Sequence, residues 1–407
     1  MFARTLIDAR HTLAGAIALM VPGFEALAQD GGSAEPALVP LHVEIIDPDA
    51  EFPRFMVDAA WPDMPSDMIL GQVPGITVDR HDRIWAVHRP HTLTGTDTGL
   101  VQDPPIAVCC QPAPTIVSFD TEGRYLGGFG GPETGPVIEG ENQWPNNIHG
   151  IYVDGDDTIW VAGNGDGDHV VLNFTEDGEF IRSIGRHGET GGNLDEAHLG
   201  NPADIYVEDG EVFIADGYIN KRIIRFTGEA GEFGGLWGAY GNEPGSGTRD
   251  GQFDQSQATS TADGGADPAN PEFGDILHCI TGNDDGLIFV CDRRNNRAQV
   301  FQRTENGDLE FVRDIVVSPN SGGTRSVTDI AFSPDGRFVY IAEMMNSRIW
   351  IYNRETLEPI AVMGRIGRQP GQFTWLHSVE VDSEGNLYTS EVGTGRRIQK
   401  LVLTGIL

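Results

Sequence analysis

The chain has 407 residues, a length that allows either one large β domain or two domains of ordinary size. Asp and Glu number 61 against 27 Lys and Arg, which gives a formal net charge of −34. Such a charge repels phosphate backbones and anionic membranes, and no basic stripe interrupts it, so we exclude nucleic-acid binding.

The first 28 residues are typical of a secretory signal peptide. Arg4 and Arg10 precede an apolar stretch at 12–24, and Ala26-Leu27-Ala28 has the spacing of a cleavage site. The stretch is too short to span a membrane. We therefore expect an exported protein, periplasmic or extracellular, with a flexible leader at 29–52 that is rich in Gly, Ala, Pro and Asp.

From residue 71 onward, a short apolar strand, an acidic or glycine turn and a second apolar strand recur six times, as in 149–163 and 278–292. The alternation of apolar residues and the Asp/Gly turns predict strands, and helical periodicity is nearly absent. We predict an all-β fold, a single six-bladed β-propeller of four-stranded antiparallel blades over 53–407. A β-sandwich and a β-helix are the alternatives.

The last unit has too few strands for a complete blade. A strand beginning near Phe55 would supply the missing one, close the ring and remove an open sheet edge. Loop insertions at 90–114 and 242–274 interrupt the repeat, and both are long enough to cover one face of the ring.

The four cysteines can form disulfides in an exported protein. Cys279 and Cys291 flank a turn almost symmetrically, so they would face each other across a hairpin and could be bridged. Cys109 and Cys110 are adjacent in sequence. This pair could be a disulfide, a soft-metal or redox site, or two thiols with separate partners.

Aligning the units places one residue of each at an equivalent position on the first strand, here called the slot. The slot residues are Pro74, His149, Ala203, His278, Thr328 and His377. In a closed ring, alternate units are related by a pseudo-threefold rotation, so the three histidines would converge on the axis. They would offer three ligands to Zn²⁺ and leave a fourth position free. Other histidines, His88 and His169 among them, are expected to be solvated.

A second set of side chains lies where the second strand of a unit ends. Arg89, Tyr218 and Arg293 hold such positions, which would point toward the axial mouth above the histidines. Arginine offers a planar fork to a carboxylate, and an arginine beside Tyr218 would favour a phenolate that can act as a base. The arginines that recur after the second strands are expected to form structural ion pairs: Arg222, Arg297, Arg348 and Arg396.

The units resemble NHL-type six-bladed propellers, and the candidate site resembles that of the peptidyl-α-hydroxyglycine α-amidating lyases. The resemblance extends from about Trp61 to Gln399 and is carried by the segments 75–89, 149–154, 215–226, 278–301 and 376–388. It implies that His149, His278 and His377 are zinc ligands, Tyr218 is the catalytic tyrosine, and Arg89 and Arg293 are active-site arginines.

The same resemblance implies a structural calcium held by two main-chain carbonyl oxygens and an aspartate. Ile76 and Ile151 match the carbonyl donors, but Ser378 stands in the place of the aspartate. Ile219 replaces a cysteine that follows the catalytic tyrosine in the family. Zinc is therefore the expected cofactor, whereas the calcium site lacks its carboxylate.

The leading functional hypothesis is a zinc-dependent lyase that cleaves a small anionic substrate with a hydroxyl group on the carbon next to a carboxylate, leaving a carbonyl product. One alternative is a metal-dependent hydrolase such as a lactonase, although that chemistry usually uses carboxylate ligands on a hard metal. Another is a non-catalytic binding propeller. Loops over the mouth would favour small α-hydroxy acids or their N-acyl derivatives over peptides. We expect a monomer.

Overall fold

The computed structural model describes residues 37–228, 231–245, 268–318, 321 and 325–407. The predicted signal peptide, residues 29–36 of the predicted leader and residues 246–267 of the second insertion lie outside these ranges. Within the described residues, no helix is both long enough and apolar enough to cross a membrane.

Six antiparallel sheets form the blades, which confirms the predicted propeller. Each of the first three blades has four strands, and all four come from one continuous part of the chain. Blade one contains β5 (Gln72–Val78), β6 (Ile84–Arg89), β8 (Ile116–Phe119) and β9 (Tyr125–Phe129). Blade two contains β12 (Ile148–Val153), β13 (Ile159–Gly163), β14 (Val170–Phe174) and β15 (Phe180–Gly185). Blade three contains β16 (Asp204–Glu208), β17 (Glu211–Asp216), β18 (Arg222–Thr227) and β19 (Glu232–Trp237).

The last three blades follow the same order, and two of them receive strands from the start of the described chain. Blade four contains β20 (Leu277–Gly282), β21 (Leu287–Asp292), β22 (Arg297–Arg303) and β23 (Leu309–Val316). Blade five contains β24 (Val327–Phe332), β25 (Phe338–Glu343), β26 (Arg348–Asn353) and β27 (Pro359–Met363), with β2 (Val43–Ile45) at its edge. Blade six contains β28 (Leu376–Val381), β29 (Leu387–Glu391), β30 (Ile398–Ile406) and β3 (Pro53–Asp58), with β1 (Leu38–Pro40) at its edge.

The inner strands touch one another all the way round, from β5 through β12, β16, β20, β24 and β28 back to β5. The strand β3 completes blade six by pairing with β30, so that Val57 lies opposite Leu401. Phe55 and Val57 alternate with more exposed residues and enter the core between blades five and six. The predicted closure of the ring by an N-terminal strand is therefore confirmed.

The expected leader differs from the structure over its second half. Residues 38–40 and 43–45 form β1 and β2, which pair with β3 and β27 respectively. Both strands cover sheet edges that would otherwise expose unpaired backbone N–H and C=O groups. The partner of β2 lies far away in sequence, whereas that of β1 follows closely, but both strands are too short and too weakly patterned to be recognised from the sequence.

The remaining short elements lie in the connections between blades and between strands of the same blade. They are two two-stranded ladders, β4 (Met68–Ile69) with β7 (Gln111–Pro112) and β10 (Val137–Ile138) with β11 (Glu141–Asn142), and the 3₁₀ turns Pro90–Thr92, Gly99–Val101, Ala239–Gly241 and Arg293–Asn295. Both cysteine pairs are disulfide-bonded, Cys279 to Cys291 across β20 and β21 and Cys109 to Cys110 within the first insertion.

The recurring arginines have different surroundings. Arg222 pairs with Asp216 at 2.9 Å and Arg297 with Asp292 at 2.8 Å, in both cases with fully buried side chains. Arg348 and Arg396 make partly exposed pairs with Glu44 and Asp97. In blade six it is Arg397, paired with Glu391 at 2.6 Å, that makes the contact equivalent to the buried pairs.

Blades pack face to face through apolar side chains, such as Val87 and Ile116 of blade one against Ile151 and Val161 of blade two. The second strand of each blade is covered on both sides, and every residue of β6 is buried. His88, expected to be solvated, is 0% exposed. Its Nδ1 accepts the Gly71 N–H at 3.1 Å, and its Nε2 donates to the Pro114 carbonyl oxygen at 2.9 Å.

Because of its burial, His88 should make the protein less stable as the pH falls from about 6.5 to about 4. Burial lowers the pKa of His88 from 6.5 to about 4. Between these pH values the unfolded chain binds a proton that the folded chain does not, so the free energy of unfolding should fall by up to roughly 3 kcal/mol.

Urea unfolding of the wild type and His88→Gln between pH 7 and pH 4.5 measures this effect. The side-chain amide of the introduced glutamine offers a donor and an acceptor, as the imidazole does, but it does not titrate. All other ionisable groups are common to both proteins. The wild type should lose stability relative to the variant as the pH falls. If the free energy of unfolding depends on pH in the same way in both proteins, protonation of His88 is not linked to folding.

Candidate metal centre

A β-bulge turns the slot side chains toward the axis. In the inner strands of blades two, four and six the pairing register shifts beside His149, His278 and His377. Bulges re-aim a side chain that regular alternation would send into the space between blades. The histidines thus project from the inner strands into the axial channel, as the alignment of the units predicted.

Each histidine is oriented by the slot residue of the next blade. Nδ1 of His149 lies 2.7 Å from the Ala203 carbonyl oxygen, and Nδ1 of His278 lies 2.7 Å from that of Thr328. Nδ1 of His377 lies 2.5 Å from the Pro74 carbonyl oxygen. A carbonyl oxygen only accepts, so Nδ1 carries the proton and the lone pair is left on Nε2.

The close approach of neighbouring blades depends on a small residue after the slot. A Cβ atom at Gly150 would lie 2.6 Å from the Ala203 carbonyl oxygen, the same atom that accepts from His149. A side chain at Gly150 would therefore push blade three away and break the bond that orients His149.

The three imidazole rings meet on the axis. Their centroids lie 4.9 Å (149 to 278), 4.9 Å (149 to 377) and 4.7 Å (278 to 377) apart. One ring nitrogen from each histidine lies within 4.8 Å of the other two. Among the described residues, these three side chains form a group that could hold a metal ion. Nε2 of His278 is buried and has no hydrogen-bond partner, which fits a nitrogen that binds a metal ion.

The surroundings keep the three rings neutral. Burial lowers the pKa of each histidine well below its usual range. The nearby cation of Arg293 lowers all three further, and that of Arg89 lowers the pKa of His149 and His377. A metal ion needs the unprotonated nitrogen, so this environment favours binding over protonation. The three histidines could hold a metal ion.

Tyr218 and Arg293 adjoin the histidines. The Tyr218 hydroxyl lies 2.8 Å from Nε2 of His149, where it donates to the lone pair. Arg293 makes a side-chain hydrogen bond to Tyr218, and its guanidinium carbon lies 5.8 Å from the centre of the tyrosine ring. A tyrosine hydroxyl, a guanidinium and the histidines thus adjoin one another.

Arg89 lies on blade one, across the ring from Arg293 on blade four. Its Nε donates to the Ile148 carbonyl oxygen at 2.8 Å, and its other nitrogens approach the side-chain oxygens of Gln72 and Asn164 at 3.4 and 3.3 Å. Burial lowers the pKa of Arg89 to about 10, which leaves it charged at neutral pH. The three predicted mouth residues therefore surround one space.

That space is a cavity of about 290 Å³ above the histidines. Its described lining includes His377, the polar side chains of Gln72, Arg89, Asn164, Tyr218, Arg293 and Arg325, and the apolar residues Met344, Trp375, Val392 and Gly393. The cavity has the size and the mixed lining of a small-molecule site.

Several lining residues were missed in the sequence, although a signal existed for some of them. Asn164, Met344 and Val392 follow the second strands of blades two, five and six, as Arg293 follows that of blade four, and Arg89 is the last residue of β6. The repeat that selected the arginines could have found these residues too. Arg325 and Trp375 precede the first strands of their blades and have no repeated counterpart of the same type.

The axial channel on the other side of the histidines is lined by Ile76, Ile151 and Ser378, the residues of the calcium expectation, and also by Asp204, Asp329 and Glu380. The Ser378 hydroxyl donates to Asp329. Burial raises the pKa of Asp329 to about 6, and burial together with mutual repulsion raises the pKa of Asp204 and Glu380 well above its usual range. Calcium binding stays untested.

The insertion 90–114 starts at the mouth, directly after Arg89. Thr92 accepts the Gln72 N–H at 3.0 Å, and Asp97 pairs with Arg396 of blade six at 3.2 Å. None of residues 90–114 is among the described residues that line the cavity. Coverage of the mouth by this loop and by 242–274 stays a prediction.

Comparison with known proteins places the chain among propellers. A family model described as "Lactonase, 7-bladed beta-propeller" matches residues 222–381, whereas the described chain has six blades. Human NHL repeat-containing protein 3 is 26% identical over 280 residues, covering 66% of this chain and 71% of that protein.

Two relatives carry the name of an amidating enzyme. A probable peptidyl-α-hydroxyglycine α-amidating lyase of Caenorhabditis elegans is 23% identical over 353 residues, covering 81% of this chain and 82% of that protein. Peptidylglycine α-amidating monooxygenase of Rattus norvegicus is 26% identical over 365 residues, covering 83% of this chain but 31% of that protein. The chain is thus a six-bladed β-propeller that is similar to the amidating lyases and to an NHL repeat-containing protein.

Proposed function

We propose that the protein is an exported zinc-dependent lyase that cleaves a small α-hydroxylated, carboxylate-bearing substrate to a carbonyl product. The observation that carries this proposal is the histidine triad, with each Nδ1 fixed by a carbonyl oxygen and Tyr218 in hydrogen-bond contact with His149. Export is supported by the sequence of the first 28 residues and by two disulfides.

The chemistry divides among these residues. A Zn²⁺ ion held by His149, His278 and His377 would supply a Lewis acid that makes a substrate hydroxyl more acidic. Tyr218 accepts the hydroxyl proton, and an arginine of the cavity holds the substrate carboxylate. The O–H electron pair becomes the C=O bond, the bond from this carbon to nitrogen breaks, and the nitrogen receives the proton that Tyr218 accepted and leaves as a neutral amide.

A lactonase is the second candidate, supported by the family match over 222–381. Its substrate would be a cyclic ester, and its product would be a hydroxy acid formed by addition of water. A non-catalytic role, as a binding propeller with NHL-type repeats, would leave all of these substrates unchanged.

One set of assays separates the three functions. The purified protein, with its zinc content measured by elemental analysis, is given α-hydroxyhippurate, a long peptidyl-α-hydroxyglycine or a panel of lactones. We expect glyoxylate from the first substrate, sensitivity to a chelator, and a higher kcat/KM for it than for the peptide. Lactone opening without glyoxylate would favour the hydrolase. Equal or better kcat/KM on the peptide would show that the loops do not restrict the mouth.

A further inference from the structure

Arg325, which the sequence did not single out, places a third guanidinium group at the cavity. Arg89 stands on blade one, while Arg293 and Arg325 stand together on blades four and five, across the ring from it. Arg293 is 4% exposed and Arg325 is 5% exposed. The cavity thus has cationic groups on two sides of the axis, in a chain whose net charge is −34.

The two neighbouring arginines are fixed relative to each other through the backbone. The Ser326 hydroxyl, fully buried, donates to the Arg293 carbonyl oxygen at 3.1 Å. The Arg325 carbonyl oxygen accepts the Met345 N–H at 3.2 Å. The segment that carries Arg325 is therefore tied both to blade four and to the end of the second strand of blade five.

Trp375 fixes the plane of the Arg325 side chain. The guanidinium carbon lies 5.0 Å from the centre of the indole ring. Stacking of this kind holds the planar guanidinium in one orientation against the ring. An arginine oriented in advance loses less side-chain entropy when it binds a carboxylate.

The tryptophan is itself held in an unusual conformation. Its φ is 61°, a left-handed conformation that is rare for a large side chain. The Val392 N–H donates to its carbonyl oxygen at 3.1 Å, and a Cβ atom at Gly393 would lie 3.0 Å from its ring. Blade six thus supports a strained residue, as binding sites often do, at the wall of the cavity.

Resting on the proposed lyase function, we propose that Arg293, Arg325 and Trp375 form a second anion subsite, across the ring from Arg89. The preferred substrate is then a small N-acyl α-hydroxy acid whose acyl group carries a second carboxylate. Two guanidinium groups in the lining of the cavity favour an anion that can accept hydrogen bonds from them. A second carboxylate supplies such an anion without competing for Arg89.

Binding of unreactive analogues tests the subsite without any catalysis. N-Succinylglycine and N-pentanoylglycine have similar lengths and lack the hydroxyl group, but only the first has a second carboxylate. By calorimetry on the wild-type protein, N-succinylglycine should bind at least about tenfold more tightly, and this ratio should fall as salt is added.

Arg325→Gln should remove the preference for N-succinylglycine, and Trp375→Leu should reduce it, because the guanidinium loses its stacking partner. Arg348→Gln, on the outside of the same blade, is the matched control and should keep the wild-type ratio. Circular dichroism and melting curves show which variants are folded, and either cavity variant suffices for the test. Equal binding of the two analogues to the wild type, or an unchanged ratio in a folded cavity variant, would overturn the subsite.

Cleavage of N-succinyl-α-hydroxyglycine and N-pentanoyl-α-hydroxyglycine then separates the subsite from the lyase function. If the binding preference is present and neither compound yields glyoxylate, the lyase function is wrong and the subsite stands. If both are cleaved at equal kcat/KM and bind equally, the lyase function stands and the subsite is wrong.

Discussion

His278→Ala should reduce the bound metal from about one ion per chain to nearly none and abolish turnover. The tripod loses one of three ligands, and a site left with two histidine ligands is a weak zinc site. Loss of a Lewis acid worth several kcal/mol corresponds to a rate reduction of about 10³-fold or more. Elemental analysis after dialysis and glyoxylate release measure the two effects.

His198→Ala is the matched control, because His198 is partly exposed and its ring pairs with Asp195 and Glu189 on the surface. This variant should keep both metal and activity. A melting curve of His278→Ala checks that the chain is still folded, since the Thr328 carbonyl oxygen loses its donor. Unchanged metal content in His278→Ala would exclude the histidine triad as the metal site.

Tyr218→Phe should lower kcat by about 10²- to 10⁴-fold while the metal content stays at the wild-type level. The change removes the hydroxyl group that lies 2.8 Å from His149, but keeps the ring that packs at 5.0 Å from the imidazole. Only the proton acceptor is lost, so KM should change much less than kcat.

Tyr206→Phe is the matched control for this change. Tyr206 is a buried tyrosine of the same blade, packed against Phe213 and outside the lining of the cavity. It should leave kcat and metal content unchanged. Full turnover by Tyr218→Phe on every substrate that the wild type cleaves would remove Tyr218 as the base.

Several features of the site could be predicted because the fold is a repeat. In a closed ring, equivalent residues of alternate blades must lie on one circle, so the alignment brought His149, His278 and His377 together without any structure. The same reasoning brought Arg89, Tyr218 and Arg293 to one mouth, where they now line one cavity.

Burial of β6 shows where the reasoning from pattern failed. Period-two alternation identifies a strand that is buried on one face, but the second strand of a blade is covered on both faces, so its pattern is uniform. His88 stands at the end of such a strand. From the sequence, His88 was expected to be solvated, but its ring nitrogens make hydrogen bonds with Gly71 and Pro114, which lie 17 and 26 positions away in the sequence.

The sequence by itself therefore determined the all-β repeat, the ring closure by the strand at 53–58, and the identity of the residues that share an axial slot. The tertiary structure alone decided the roles of Pro74, Ala203 and Thr328, whose carbonyl oxygens orient the histidines. A main-chain carbonyl is common to every residue type, so no choice of amino acid reveals it. The placement of Arg325 against Trp375 was likewise invisible, because it is a contact between residues of neighbouring blades that are far apart in the sequence.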